Sequence, residues 1–79
     1  MTQISAKTPI SRAFELFKNQ NDMARAVDVS QPVVHKWLKG GRVSAEAAVR
    51  IERATRARDP ARVVWRWELN EVFRDDINV

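Results

Sequence analysis

The stretch QNDMARAVDVSQPVVHKWLK, residues 20–39, decides the fold of this chain. Its first part, residues 21–27, predicts a helix because three apolar side chains fall on one face at helical spacing: Met23, Ala24 and Val27. Residues 28–30 form the predicted turn, and Val29 is the apolar residue expected to fill the gap between two helices. We therefore expect two helices that cross closely at the small side chain of Ala24.

The second of these helices has an apolar inward face and a polar, basic outward face. Ser30 is a predicted N-cap, because its hydroxyl can accept a bond from an unpaired backbone N–H of the first turn. Pro32 falls in that first turn, where a missing N–H is harmless. The inward residues are Val34, Trp37 and Leu38, and the outward ones are Gln31, His35, Lys36 and Lys39. Gly40 and Gly41 then end the helix with a residue free to take positive φ. This pattern is typical of a helix-turn-helix whose second helix enters the DNA major groove.

These residues resemble the helix-turn-helix of the Cro repressors of lambdoid phages and of the related YdaS-like regulators. The matching positions are Ala24, residues 29–31, Val34 and Trp37, and the resemblance extends through residues 43–56 and through residues 64–69. One position departs from the pattern, because such motifs usually carry glycine where this chain has Asp28. Aspartate tolerates the left-handed conformation better than most residues do.

The resemblance implies a transcriptional regulator, a Cro-like repressor that binds double-stranded operator DNA as a homodimer. The outward positions that match the family, expected near base edges, are Ser30, Gln31, Pro32, His35 and Lys36. The amide of Gln31 can pair with adenine, and Lys36 can donate to guanine or to a phosphate. Contacts to the sugar-phosphate backbone are predicted for Gln20, Lys39, Gly40, Gly41, Arg42 and Arg50.

The charge distribution agrees with a nucleic-acid partner. Fourteen Lys and Arg against ten Asp and Glu give a net charge of +4. Residues 1–58 carry eleven basic and five acidic side chains, a net of +6, whereas residues 59–79 carry three and five, a net of −2. The basic field therefore belongs to the part of the chain that holds the motif.

Composition also argues against other classes of protein. The chain has no cysteine and one histidine, so we expect no disulfide, no metal site, no cofactor and no enzyme. It has no apolar run of about 20 residues and no signal-peptide pattern, so we expect a cytoplasmic protein with no membrane partner.

Outside the motif, helical spacing predicts two more helices and an all-α bundle of four to five helices in total. Thr8 and Pro9 begin a helix that runs to about Lys18 and turns four side chains inward: Ile10, Ala13, Phe14 and Phe17. Ser44 caps another helix to about Arg56, with Ala47, Ala48 and Ile51 facing inward. We expect a flexible N-terminus at residues 1–7 and a helix-turn-helix domain at residues 8–58.

The C-terminal segment, residues 59–79, fits two periods. Asp59-Pro60 is a helix start, and apolar residues continue at helical spacing to Phe73. Residues 63–69 also alternate as a half-buried strand would, which leaves an α+β fold with a strand or hairpin from Val63 to Leu69 as the alternative. We favour helix, because the sequence of residues 68–71 is poor in strand formers.

Several large apolar side chains in this segment predict a surface for self-association. They are Trp65, Trp67, Leu69 and Phe73, and they can alternatively cover the helical core. A different function uses the same fold: a YdaS-like antitoxin or protein-interaction module that neutralises a toxin or another protein. RNA is a weaker alternative, because the aromatic residues lie in the acidic segment rather than beside the basic motif.

Overall fold

The computed structural model describes residues 8–73, and every regular element in that range is helical. In chain order the elements are α1 Pro9–Phe14, α2 Gln20–Val27, α3 Gln31–Leu38, α4 Ala45–Arg58, a 3₁₀ helix Pro60–Arg62 and α5 Arg66–Leu69. The predicted all-α bundle is confirmed, and the alternative strand or hairpin from Val63 to Leu69 is wrong. The expectation of a flexible segment at residues 1–7 lies outside the described residues.

One apolar core joins these helices. It holds Met23 and Val27 from α2, Val34 and Trp37 from α3, and Ile51 from α4, each at most 4% exposed. Burial of an aliphatic or aromatic side chain of this size contributes about 1.5–3 kcal/mol. Helix α4 therefore packs against the apolar side of the helix-turn-helix, and the polar face of the motif points away from the core.

Helix α1 is shorter than its sequence predicts, because it ends at Phe14 and not at Lys18. The N–H groups of Leu16 and Phe17 donate to carbonyls three residues back, that of Phe17 to Phe14 at 3.0 Å. The N–H of Lys18 donates instead to the Asp22 carboxylate, at 3.0 Å. Phe17 remains buried although it lies beyond the helix. Phe17 thus keeps the inward position that helical spacing predicts, although the N–H of Lys18 donates to a side chain of α2 and not to a carbonyl of α1.

The turn between α2 and α3 depends on Asp28, which adopts the left-handed conformation with φ 64° and ψ 51°. It is the non-glycine residue with positive φ in residues 8–73. Its N–H and that of Val29 both donate to the carbonyl of Ala24, the latter at 2.9 Å. Val29 packs against the core, as predicted. Aspartate thus occupies the conformation for which related motifs use glycine.

Ser30 departs from its predicted role as an N-cap. It occupies the N-cap position with φ −80° and ψ 157°, but its side chain makes no capping hydrogen bond. Thr8, Asn19 and Ser44 do cap their helices, each accepting from the N–H three residues further on. The hydroxyl of Ser30 is consequently exposed at the start of α3 and available to a ligand.

Two glycines end α3 with a Schellman motif. Gly40 has φ 101°, its N–H donates to the carbonyl of Trp37 at 3.1 Å, and the N–H of Gly41 donates to that of Lys36 at 2.8 Å. A Cβ on Gly41 would lie 2.8 Å from the Lys36 oxygen. The predicted positive-φ residue is confirmed at Gly40, and close backbone approach explains the second glycine.

The continuous C-terminal helix expected from Asp59 is broken in the structure. Asp59 does cap a helix, since its side chain accepts from Ala61 N–H at 3.1 Å, but that helix is one 3₁₀ turn. Residues 63–65 are not helical, and α5 is a single turn. The N–H of Val64 donates to the Thr55 hydroxyl at 3.1 Å, and the N–H of Arg66 to the Glu52 carboxylate at 3.1 Å. These partners on α4 satisfy donors that a continuous helix would use internally.

Candidate nucleic-acid interface

Helix α3 divides sharply into a buried and an exposed side. Val34 and Trp37 are 0% and 4% exposed and face the core. Most of the predicted base-contact residues are exposed, namely Ser30, Pro32, His35 and Lys36, and the remaining one, Gln31, is half-buried. The structure therefore brings the five predicted base-contact residues together on α3 and at its start.

Gln31 is half-buried because it bonds to the neighbouring helix. It is the first residue of α3, Gln20 is the first residue of α2, and Gln31 Nε2 donates to Gln20 Oε1. This bond uses one of the two amide hydrogens of Gln31 and leaves its Oε1 and its second N–H available. One acceptor and one donor are what a glutamine needs to pair with adenine in the major groove.

Gln20 also contacts the exposed histidine of α3. Its Nε2 lies 3.4 Å from His35 Nδ1. Gln20 was predicted to touch the DNA backbone, and in the structure it connects two residues predicted to contact bases. Sequence spacing did not indicate this bridge, because residues 20, 31 and 35 meet only when α2 crosses α3.

Exposed cations cluster at the C-terminal end of α3. Lys36, Lys39 and Arg42 line one shallow depression together with His35 and the two glycines. None of the three cations forms an ion pair within residues 8–73. By contrast, six other arginines are paired with carboxylates: Arg12, Arg50, Arg56, Arg58, Arg62 and Arg66. The cations beside α3 are therefore available to phosphate oxygens.

Arg50 differs from these cations because it is engaged within the molecule. Its guanidinium donates to the Glu46 carboxylate at 2.7 Å and to the backbone carbonyl of Asp28 at 3.1 Å. It thereby ties α4 to the turn between α2 and α3. Its contact with phosphate stays a prediction. In the structure the Arg50 side chain connects two elements of the same molecule.

The four residues of the predicted self-association surface separate into two pairs. Leu69 and Phe73 pack against the core. Trp65 and Trp67 are half-buried and stack on each other, with ring centroids 5.2 Å apart and planes 3° from parallel. The guanidinium of Arg56 lies 5.2 Å from the Trp65 ring, which adds a cation–π contact. The half-buried indole pair is the part of this surface that does not pack against the core.

The buried carboxylate of Glu52, which was not predicted to have a role, joins the C-terminal segment to α4. Glu52 is 4% exposed and accepts from Arg66 Nε at 2.7 Å and from Arg56 at 3.2 Å. The Arg66 guanidinium and backbone N–H together hold the pKa of Glu52 below its usual range, against the opposing effect of burial. Its burial could have been predicted from sequence spacing, because Glu52 lies four residues after Ala48 on the inward face of α4.

A second contact, a hydrogen bond, joins the C-terminal segment to the loop after α3. Asn70 Nδ2 donates to the carbonyl of Val43 at 2.8 Å. An open cleft of about 670 Å³ beside this bond has Arg42, Trp67 and Val72 among its lining residues. Trp67 and the cationic end of α3 are therefore neighbours in the folded chain.

Within residues 8–73 no three His, Asp or Glu side chains come together as a possible metal site. None of the helices in the same range is long and apolar enough to cross a bilayer. The described groups can donate and accept hydrogen bonds and present positive charge.

Comparison with known proteins gives one result. A family model described as bacterial toxin YdaS matches residues 10–70, which run from the second residue of α1 through the end of α5. No curated protein and no solved structure matches the chain.

Proposed function

The chain belongs to the family described as bacterial toxin YdaS, which suggests a small protein of toxin–antitoxin or regulator type. From this premise we propose that it is a sequence-specific regulator that binds double-stranded DNA. Its α3 enters the major groove, and two copies bind two half-sites as a homodimer. The Cro-like repressor role suggested by the sequence is part of this proposal.

The exposed face of α3 supports the proposal best. It offers a hydroxyl at Ser30, the amide of Gln31 with a donor and an acceptor open, and the unpaired cations Lys36 and Lys39. Polar groups of this kind at the start of a recognition helix contact base edges, while cations at its far end contact phosphates.

Selection of bound sites from random duplex DNA tests the assignment. We expect the wild-type protein to select a defined sequence and Gln31→Ala to lose preference at one base position. The expected loss on the preferred site is about 1–3 kcal/mol, because one bidentate base contact is removed. An unchanged selection profile for Gln31→Ala would show that α3 is not the recognition helix.

Salt dependence separates the backbone contacts from base recognition. We expect Lys39→Gln to weaken binding to all sequences and to lower the slope of log affinity against log salt by about 1. The control is Arg62→Gln, which removes an equal charge from the 3₁₀ turn, where Arg62 pairs with Glu15. Equal slopes for the two variants would contradict a local role for Lys39.

The same proposal assigns the homodimer surface to the stacked pair Trp65 and Trp67. All four side chains are half-buried, but Leu69 and Phe73 pack against their own core and the indoles do not; Val72 beside them is 68% exposed. A contact surface of aromatic rings suits self-association, because each ring buries a large area with few rotatable bonds.

Sedimentation of Trp67→Ala and Leu69→Ala tests this surface. We expect Trp67→Ala to remain folded by circular dichroism while shifting from dimer to monomer and binding DNA more weakly. Leu69→Ala instead should lower the free energy of unfolding by about 0.5–3 kcal/mol, because it removes a half-buried side chain that packs against the core. A wild-type protein that sediments as a monomer at the concentrations of DNA binding would overturn the homodimer.

The indole pair also favours a second candidate function, in which it binds a partner protein as a toxin or antitoxin does. Induced expression in a bacterial host distinguishes the two functions. If growth arrest, or rescue from it, is lost in Trp67→Ala and kept in Gln31→Ala, the partner protein is the target. The opposite pattern favours action on DNA.

A further inference from the structure

Three side chains form a continuous chain of hydrogen-bonding groups across the helix-turn-helix. Gln31 Nε2 donates to Gln20 Oε1, and Gln20 Nε2 lies 3.4 Å from His35 Nδ1. Gln20 therefore offers its acceptor to Gln31 and its donor to His35. Two donors cannot face each other, so Nδ1 of His35 has to accept, and the imidazole proton has to reside on Nε2.

We propose that His35 is a positioning residue, which sets through Gln20 the direction in which the Gln31 amide faces the base pair. This inference rests on the proposed DNA-binding function. With Nδ1 as acceptor, Gln20 keeps Oε1 towards Gln31, and Gln31 keeps Nε2 towards Gln20. The free Oε1 and the second amide hydrogen of Gln31 are then presented in one fixed order.

The order of donor and acceptor decides which base edge fits. Adenine offers its N6 donor and N7 acceptor in a fixed arrangement in the major groove. If position 35 offers a donor instead, Gln20 has to turn its amide over to accept from it. Gln20 then presents Nε2 to Gln31, which has to turn its own amide as well. The pairing order towards the base is reversed, and the preference at that base position weakens or changes.

Isosteric variants of His35 test the proposal. The Oδ1 of asparagine lies where His35 has Nδ1, so His35→Asn keeps an acceptor for Gln20. The amide of His35→Gln reaches the place of Nε2 and offers Gln20 nothing. We expect His35→Asn to keep the preference at the base position assigned by Gln31→Ala, and both His35→Gln and His35→Ala to lower it by about 2- to 10-fold.

The reverse result would overturn the proposal. If His35→Gln keeps the preference and His35→Asn loses it, His35 contacts DNA through Nε2 on its own account. If all three variants leave the preference unchanged, His35 has no positioning role. A wild-type protein that selects no sequence at all would overturn the proposed function and this inference together, so the two failures are distinguishable.

A second measurement tests the route through Gln20. In a Gln20→Ala background, His35→Ala should have no further effect on the base position of Gln31, because the connection is already broken. An undiminished effect would contradict the route. Imidazole ¹⁵N chemical shifts of the neutral His35 ring in the free protein should show Nε2 protonated and Nδ1 unprotonated. The opposite tautomer would also overturn the proposal.

Discussion

Single residues set the geometry of the turn that positions α3. Asp28 holds φ 64°, a conformation that costs most L-residues about 1–2 kcal/mol. Its backbone carbonyl accepts from Arg50, and its carboxylate lies 4.0 Å from that guanidinium and is largely exposed. A change of side chain therefore leaves the stronger of the two contacts in place.

We expect Asp28→Gly to raise the free energy of unfolding by about 0.5–1 kcal/mol, because glycine adopts positive φ without strain. The exposed ion pair with Arg50 offsets little of this gain. Asp28→Asn, which keeps tolerance of the left-handed region, is the control and should be near neutral. Urea denaturation measures all three proteins. A destabilised Asp28→Gly would mean that the carboxylate contributes more than its backbone conformation costs.

Between the elements, a few polar contacts decide how the C-terminal segment lies on α4. Glu52 and Thr55 are both buried on α4, and each accepts a backbone N–H from residues 64–66. Thr55 also donates its hydroxyl proton to the carbonyl of Ile51 at 2.9 Å. These bonds replace the internal bonds of the helix that the spacing of residues 59–73 predicts.

The Glu52 contact predicts a pH dependence of stability. Its pKa is lowered in the folded protein, so its contribution is fully present above the unfolded glutamate value of about 4.3 and is lost as pH falls through the folded value. We expect Glu52→Gln to lower the free energy of unfolding at pH 7 by about 1–3 kcal/mol. The difference from wild type should shrink below about pH 4.

Chemical denaturation of both proteins across that range gives the comparison. Glu46→Gln is the matched control, because Glu46 forms an exposed i, i+4 pair with Arg50 and should matter little. A difference for Glu52→Gln that stays constant down to about pH 2 would show that the buried charge is not the cause.

In the molecule as a whole, the exposed face of α3 and the C-terminal segment with its aromatic pair are joined through the loop after α3. Asn70 bonds to Val43, next to Arg42 at the cationic end of α3. Two copies that associate through Trp67 would hold their α3 helices in a fixed relative position. Recognition helices related by two-fold symmetry bind half-sites about 34–36 Å apart, one helical turn of DNA.

We therefore expect the sites selected by the wild-type protein to be inverted repeats with that separation between half-site centres. Trp67→Ala should select single half-sites with the same bases, because each α3 is unchanged while its partner is lost. Sequencing of the selected DNA gives both results at once. Inverted repeats that persist in Trp67→Ala would place the dimer contact elsewhere.

Sequence alone determined those features that depend on near neighbours in the chain. Helical spacing identified α2, α3 and α4, the turn residues and the exposed face of α3, because a helix places residues three and four apart on one side. The roles of Gly40 and Asp28 could be predicted from sequence too, because each depends on which φ and ψ angles that residue type can adopt. The family resemblance added the YdaS assignment, which the family match confirms.

Tertiary structure alone decided what depends on residues far apart in sequence. The backbone N–H groups of Arg66 and Val64 donate to Glu52 and Thr55 on α4 instead of continuing a C-terminal helix, and no local period of residues 59–73 contains these partners. The meeting of Gln20 with Gln31 and His35 likewise required α2 to cross α3. A backbone donor goes to whichever acceptor the folded chain brings closest, and side chains at opposite ends of a motif become partners only after it packs.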